Sequence, residues 1–288
     1  MSVTAGGPIV GIPAAGVREY TVRTDDGAVL AVTAHRPSSD ADGVAVVLAH
    51  GWAASRRVWH EVRGLLLGLG YPVVCYDQRG HGHSTTGREP IGIERLAGDL
   101  AAVLESVEEE KVVLCGHSGG GFAAMAYAVA DPERAGARLR GMALLATAAH
   151  DQDTPPAEVG MMGSRLFSRA LARPRLGRFL LGKTVGDKAD PAVLETNRQM
   201  FAATPARVRA DCFRSSRGMD LRLGLASVPV PALVLAGEAD KIISPELGEV
   251  IARTMPQARF RRVAGAGHML PLEAPGQVAQ AIHELASG

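Results

Sequence analysis

Three side chains of this 288-residue chain have types and an order that suit nucleophilic attack on an acyl group: Ser118, Asp240 and His268. A serine hydroxyl is a poor nucleophile at neutral pH, so an imidazole must take its proton as it attacks. The imidazole in turn needs a carboxylate to fix its tautomer and to stabilise the imidazolium. Ser118 stands in Gly116-His117-Ser118-Gly119-Gly120, between the apolar run Val112-Val113-Leu114-Cys115 and the alanine-rich stretch that begins at Phe122. That Gly-x-Ser-x-Gly context predicts a tight strand-to-helix turn with the serine at its tip, because Cβ atoms at 116 and 120 would strike the adjoining strand and helix. Asp240 closes Gly237-Glu238-Ala239-Asp240 after an apolar run, and His268 closes Gly265-Ala266-Gly267-His268. The interval between them is long enough for one helix and one strand, so their loops can converge.

A tetrahedral oxyanion needs two preorganised donors. Gly119 N–H is one candidate. His50-Gly51-Trp52 offers the second through Trp52 N–H, with Ala53 as the neighbouring alternative. Asp77 rivals Asp240 as the acid, but it sits beside Arg79 and is expected to brace its own turn, so Asp240 is preferred. His50, His81, His83 and His117 have no His-Glu-x-x-His or similar spacing, and loop hydrogen bonds rather than metal ligation are expected of them. Gly80 and Gly82 lack a following Lys-Ser/Thr and read as turn glycines. The Trp52 indole is expected to line the pocket, and Trp59 to lie in the core.

These residues need a scaffold that brings strand ends together. Val44–Ala49, Tyr71–Tyr76, Val112–Cys115, Met142–Ala146 and Ala232–Ala236 are continuous apolar runs, the mark of strands buried on both faces. Arg259–Val263 reads as the last strand. Helical patterns run between them, through Trp59, Val62 and Leu65, over Ile91–Glu109, Pro245–Met255 and Pro275–Leu285. Asp25-Asp26-Gly27 marks a hairpin between Glu19–Arg23 and Val29–Ala34. The alternation predicts an α/β fold with a mostly parallel central sheet and helices on both faces, its active site at the carboxyl ends of the strands.

From His150 to Val228 the alternation stops. Helical periodicity continues around Leu166, Phe167, Leu171, Phe179 and Leu180, with prolines at 155, 156, 174 and 205 to end helices. The expected organisation is an irregular leader (1–18), a core (19–149 and 229–288) and an inserted helical cap (150–228). Met161, Met162 and Phe167, with Leu166 and Met200, are candidates for the pocket wall alongside Trp52.

Taken together, His50-Gly51-Trp52, the Asp77–Ser84 loop, Gly116–Gly121, Gly237–Asp240 and Gly265–His268 resemble the α/β-hydrolase superfamily. Within it, the chain resembles compact serine esterases and cofactor-free haloperoxidase-like enzymes. The resemblance covers residues 19–149 and 229–286. Many such relatives carry Met after the nucleophile, where this chain has Gly119; the backbone N–H is retained. Ser118 in place of aspartate argues against the dehalogenase and epoxide-hydrolase branches, which the resemblance implies need a carboxylate nucleophile.

A hydrophobic content of 47% with 34 Gly and 17 Pro suits a globular, loop-rich protein. The net charge of +1 removes any global argument for nucleic acid or an anionic membrane. Within 150–228, however, 11 Arg and 2 Lys face 8 Asp and Glu, which makes either a solvated surface or a basic entrance for acidic substrates. No stretch reaches the roughly 20 apolar residues of a membrane span, and the first residues carry no signal-peptide pattern. Cys75, Cys115 and Cys212 are odd in number and lack a Cys-x-x-Cys pair, so buried free thiols and a cytoplasmic location are expected.

The expected activity is cleavage of a carboxylic ester or similar acyl compound through an acyl-enzyme on Ser118, with no cofactor, no metal and a small-molecule acyl substrate. The same residues would serve C–C bond, lactone or thioester hydrolysis or perhydrolysis. A relative that only binds a small ligand in the same pocket is the alternative of another class.

Overall fold

The computed structural model describes residues 16–38 and 43–288. Strands β1 (Gly16–Arg23) and β2 (Val29–Arg36) form the antiparallel hairpin expected around Asp25-Asp26-Gly27. Because β1 opens at Gly16, residues Gly16, Val17 and Arg18 of the expected leader belong to the sheet. The rest of that leader lies outside the described residues.

Strands β3 (Val44–Ala49), β4 (Val73–Tyr76), β5 (Lys111–His117), β6 (Leu139–Leu145), β7 (Ala232–Gly237) and β8 (Ala258–Val263) complete an 8-stranded sheet in the order β1-β2-β4-β3-β5-β6-β7-β8. β2 meets β4 antiparallel, and all the pairs from β4 to β8 are parallel. The chain steps from β3 outward to β4 and then back across to β5. The crevice above the carboxyl ends of β3 and β5 is therefore the switch point where open parallel sheets bind ligands.

Helices α1 (His60–Gly68), α2 (Ile93–Glu105), α3 (Gly119–Ala130) and α4 (Pro132–Arg138) link the strands as far as β6. Between β6 and β7 come α5 (Pro156–Met162), α6 (Arg165–Ala172), α7 (Pro174–Leu181), α8 (Pro191–Ala203), α9 (Ala206–Ser215) and α10 (Arg222–Leu225). Helices α11 (Pro245–Thr254), α12 (Leu270–Glu273) and α13 (Pro275–Ser287) follow.

The continuous apolar runs fill both faces of the sheet. In β5, Val112 and Leu114 pack into one core with residues of α2 and α3, while Val113 and Cys115 enter the other with residues of α1 and α13. Helix α2 ends at Glu105, short of the expected Glu109, because the Ser106 hydroxyl donates to the Val103 carbonyl and the chain turns. Val107 remains buried beyond the turn. Prolines 156, 174 and 191 sit at helix starts, where the missing N–H costs nothing.

The excursion between β6 and β7 is tied at its base by the bridge of His150 with Asp220 and by Asp151 N–H donating to the Met219 carbonyl. The chain rejoins the main body short of Val228, since Leu225 and Val228 belong to the core under α3. Phe167, Leu171, Leu181 and Phe201 form the excursion's own apolar cluster, and it rests on Ala53. Arg209, fully buried among these helices, donates to the carbonyls of Met162, Phe201 and Thr204 and to Ser168 Oγ. Two expectations for the pocket wall need correction. Leu166 is 75% exposed on the outer side of α6, and Met200 is packed into the sheet core. Among the described residues no helix is long and apolar enough to cross a membrane. Cys75, Cys115 and Cys212 are free and buried.

Candidate active site

Strand β5 ends at His117, and the chain turns at Ser118 directly into α3. Ser118 has φ +51° and ψ −118°, a region that residues with a side chain rarely adopt. The strain is held by its surroundings. Ser118 N–H donates to the Leu145 carbonyl (2.9 Å), and the Ser118 carbonyl accepts from Gly121 N–H (2.8 Å) and Thr147 Oγ1 (2.9 Å). A Cβ on Gly116 would press on the Gly120 carbonyl, and one on Gly120 would strike the Ala49 and His50 carbonyls, so the elbow closes only with glycines there.

His268 lies between Ser118 and Asp240. Its Nε2 lies 3.0 Å from Ser118 Oγ, and its Nδ1 lies 2.9 Å from Asp240 Oδ2. A carboxylate can only accept, so Nδ1 carries the proton and Nε2 is left free to take one from the serine. Asp240 Oδ1 accepts from the amides of Ile242 (2.8 Å) and Ile243 (3.0 Å). Burial works to raise the Asp240 pKa, but His268 and these amides outweigh it and hold the carboxyl below the usual carboxylate range.

The loop that carries His268 is fastened at several points. His268 N–H donates to the Thr184 carbonyl, and the His268 carbonyl accepts from His117 Nε2 (2.8 Å). Glu273 receives Gly267 N–H (2.9 Å), Met269 N–H (2.9 Å) and Gly186 N–H (2.7 Å), so one carboxylate joins both sides of the histidine to the excursion. Nothing in the local sequence marks Glu273 or Thr184 for this task.

Beside Ser118 Oγ lie the two expected donor loops. The N–H groups of Trp52 and Gly119 have no acceptor among the described residues. Ala53 N–H donates to His81 Nε2 (3.0 Å), which removes it as the alternative donor. Burial holds the His81 pKa down at about 3, keeping the ring neutral and able to accept. The other loop histidines also act as hydrogen-bond ties: His50 Nε2 accepts from Gln78 N–H, and His117 is likewise held neutral by burial, at about 3. Among the described residues no group of three or more His, Cys, Asp or Glu side chains is placed to hold a metal.

Asp77 does brace its own turn, through different partners from those expected. It accepts from Arg56 N–H (2.8 Å) and His83 N–H (3.1 Å), while Arg79 pairs with Asp26 (2.9 Å) and Asp99 (2.6 Å). The Trp52 indole lies across Gly119 and meets Phe122 edge-on (5.2 Å between centroids) and Phe213 of α9 (5.3 Å). Phe213 was not singled out by sequence, because its only signal is one aromatic in a polar, arginine-rich helix. Of the other expected wall residues, Phe167 is buried in the excursion's own cluster, Met162 packs against that cluster, and Met161 is 41% exposed.

The family model described as the alpha/beta hydrolase family matches residues 46–281. Among curated relatives, the chain is 29% identical over 249 residues to a pimeloyl-[acyl-carrier protein] methyl ester esterase of Stenotrophomonas maltophilia, covering 83% of this chain and 92% of that one. It is 28% identical over 248 residues to a non-heme chloroperoxidase of Streptomyces lividans, covering 81% and 88%. Among solved structures, a thermophilic esterase from Thermogutta terrifontis, with malate bound, superposes with a TM-score of 0.75 at 28% identity over 93% of this chain and 97% of that one.

Proposed function

The chain belongs to the alpha/beta hydrolase family, and from that premise we propose that it cleaves a carboxylic ester or closely related acyl compound with Ser118 as nucleophile. His268 takes the Ser118 proton as Oγ attacks the acyl carbon, and Asp240 stabilises the imidazolium. The N–H groups of Trp52 and Gly119 receive the oxyanion, helped by the N-terminal end of α3. The imidazolium then gives its proton to the departing alcohol. Water activated by His268 attacks the acyl-enzyme and releases the acid. The observation that carries this reading is the single imidazole within hydrogen-bonding distance of both Ser118 Oγ and Asp240 Oδ2.

We read residues 150–228 as a cap whose lower side, including Phe213 above Trp52, selects the acyl group. The arginine excess of this segment is divided. Arg198 and Arg209 are consumed by internal bonds, and others lie exposed on α6 and α7, so a small acidic substrate is the weaker reading of that charge. The buried free thiols suit a reducing, cytoplasmic setting. Turnover of esters graded in acyl and alcohol size tests the reading. Hydrolysis by the wild type that disappears in Ser118→Ala supports it, and equal hydrolysis by the two proteins overturns it.

A further inference from the structure

Helices α6 and α7 pack inward through Phe167, Leu171 and Leu181 on a cluster that includes Ala53. Their opposite sides look away from the molecule, and they carry an unusual mixture. Phe179 is 82% exposed and Leu166 is 75% exposed. At helical spacing, Arg165 and Arg169 share the outward side of α6 with Leu166, Arg173 lies exposed in the link between the two helices, and Arg175 shares the outward side of α7 with Phe179. Between Arg165 and Gly186 the sequence has five arginines and one lysine and no acidic residue. Arg178 pairs with Glu195 (3.0 Å), but no carboxylate lies within ion-pairing distance of Arg165, Arg169, Arg173 or Arg175 among the described residues.

We propose that the outward face of the α6–α7 pair docks on an anionic lipid surface, with Phe179 and Leu166 entering the acyl boundary while the arginines meet the headgroups. Charge complementarity supplies the attraction. The two protruding apolar side chains favour a lipid surface over a soluble acidic protein, because arginines alone would suffice for the latter while an exposed Phe and Leu lose their water contact in the acyl boundary. The net charge of +1 for the whole chain conceals this local concentration. Docking uses no residue of the hydrolytic site, so it stands apart from the proposed activity and is expected of Ser118→Ala protein as well.

The test is sedimentation of the full chain with vesicles of phosphatidylcholine alone and of phosphatidylcholine with phosphatidylglycerol. Binding to the anionic vesicles is expected to exceed binding to the neutral ones by about tenfold or more at low salt and to weaken as salt is added. The pair Arg169→Glu and Arg175→Glu should abolish it. The pair Leu166→Ser and Phe179→Ser should cut vesicle binding severalfold while leaving binding to soluble polyglutamate unchanged. Both variants should hydrolyse a water-soluble ester like the wild type, which shows that they fold. Equal binding to neutral and anionic vesicles would overturn the proposal. So would undiminished vesicle binding by the Ser pair, which would mark the face as a purely electrostatic site for an acidic protein.

Discussion

The Trp52 indole occupies the space that a side chain at residue 119 would need: a Cβ on Gly119 would collide with its Nε1, Cδ1 and Cε2. The N–H groups of these same two residues are the proposed oxyanion donors, so the packing of one side chain and the aim of both donors are coupled. Gly119→Ala should push the indole aside and lower kcat/KM by about 10- to 100-fold, somewhat less than outright loss of a donor. The tryptophan emission should shift as Trp52 moves, since Trp59 is enclosed in the core and reports a constant background. Adding Phe213→Ala gives the indole room and should restore part of the rate. Full activity with an unchanged spectrum in Gly119→Ala would show that the contact has no bearing on the site.

The choice of acid is tested by paired substitutions. Asp240→Asn should lower kcat by orders of magnitude, about 10⁴-fold in a comparable triad, because the amide favours the wrong tautomer of His268. Asp77→Asn disturbs only the Arg56 and His83 contacts and should cost far less. Kinetics of the two folded variants decide the matter, and a larger loss in Asp77→Asn would reverse the assignment.

Glu273 should act on the rate without touching substrate. Its carboxylate accepts N–H groups on both sides of His268 and from Gly186, so Glu273→Ala leaves three amides unpaired and loosens the loop that aims the imidazole. Small misplacements of a catalytic group cost on the order of 100-fold, and a fall in kcat of roughly that size is expected with KM little changed. Glu273→Gln, which keeps one carbonyl acceptor, should fall between. A change in KM alone would place the effect on binding instead.

Acid should destabilise the fold through its buried imidazoles. Burial, reinforced by the charges of Arg63 and Arg56, pushes the His35 pKa down to about 4, and burial pushes His81 and His117 to about 3. Once unfolded, each regains a value near 6.5. Between these limits the unfolded chain binds more protons than the folded one, so stability rises with pH there and is lost as pH falls from about 6.5. Each group contributes on the order of 1.4 kcal/mol per pH unit at most in that window. Urea midpoints measured from about pH 7 down to about pH 4 should therefore decline steadily, and a flat profile would contradict neutral, buried rings.

Much of this arrangement could be read in advance because the residues singled out sit where predicted strands end. Ser118 and Asp240 each follow a continuous apolar run and His268 follows the arginine-rich strand β8, and parallel strands bring those ends together whatever the loops contain. What escaped is long-range. Glu273 holds Gly186 across 87 residues, and no local pattern announces that pairing. Arg79 lies two positions from Asp77, yet it points into the pair of Asp26 and Asp99, because nearness in sequence says little about side-chain direction in a turn. In the helical segment the apolar period locates an inner face but also counted Leu166, which lies on the outer one. Phe213 was hidden by the opposite problem, a single aromatic among polar neighbours.

The most direct test of the account is the covalent labelling of Ser118. A fluorophosphonate should modify the wild type at one site, located by peptide mass spectrometry to the segment containing Gly116–Gly121, and should leave Ser118→Ala unlabelled. His268→Ala should react far more slowly, since without the imidazole nothing takes the hydroxyl proton. Hydrolysis of esters should fall in parallel, by about 10⁴-fold or more in Ser118→Ala. A folded Ser118→Ala protein that still takes up the label or still turns over the ester would contradict the assignment of Ser118 as nucleophile.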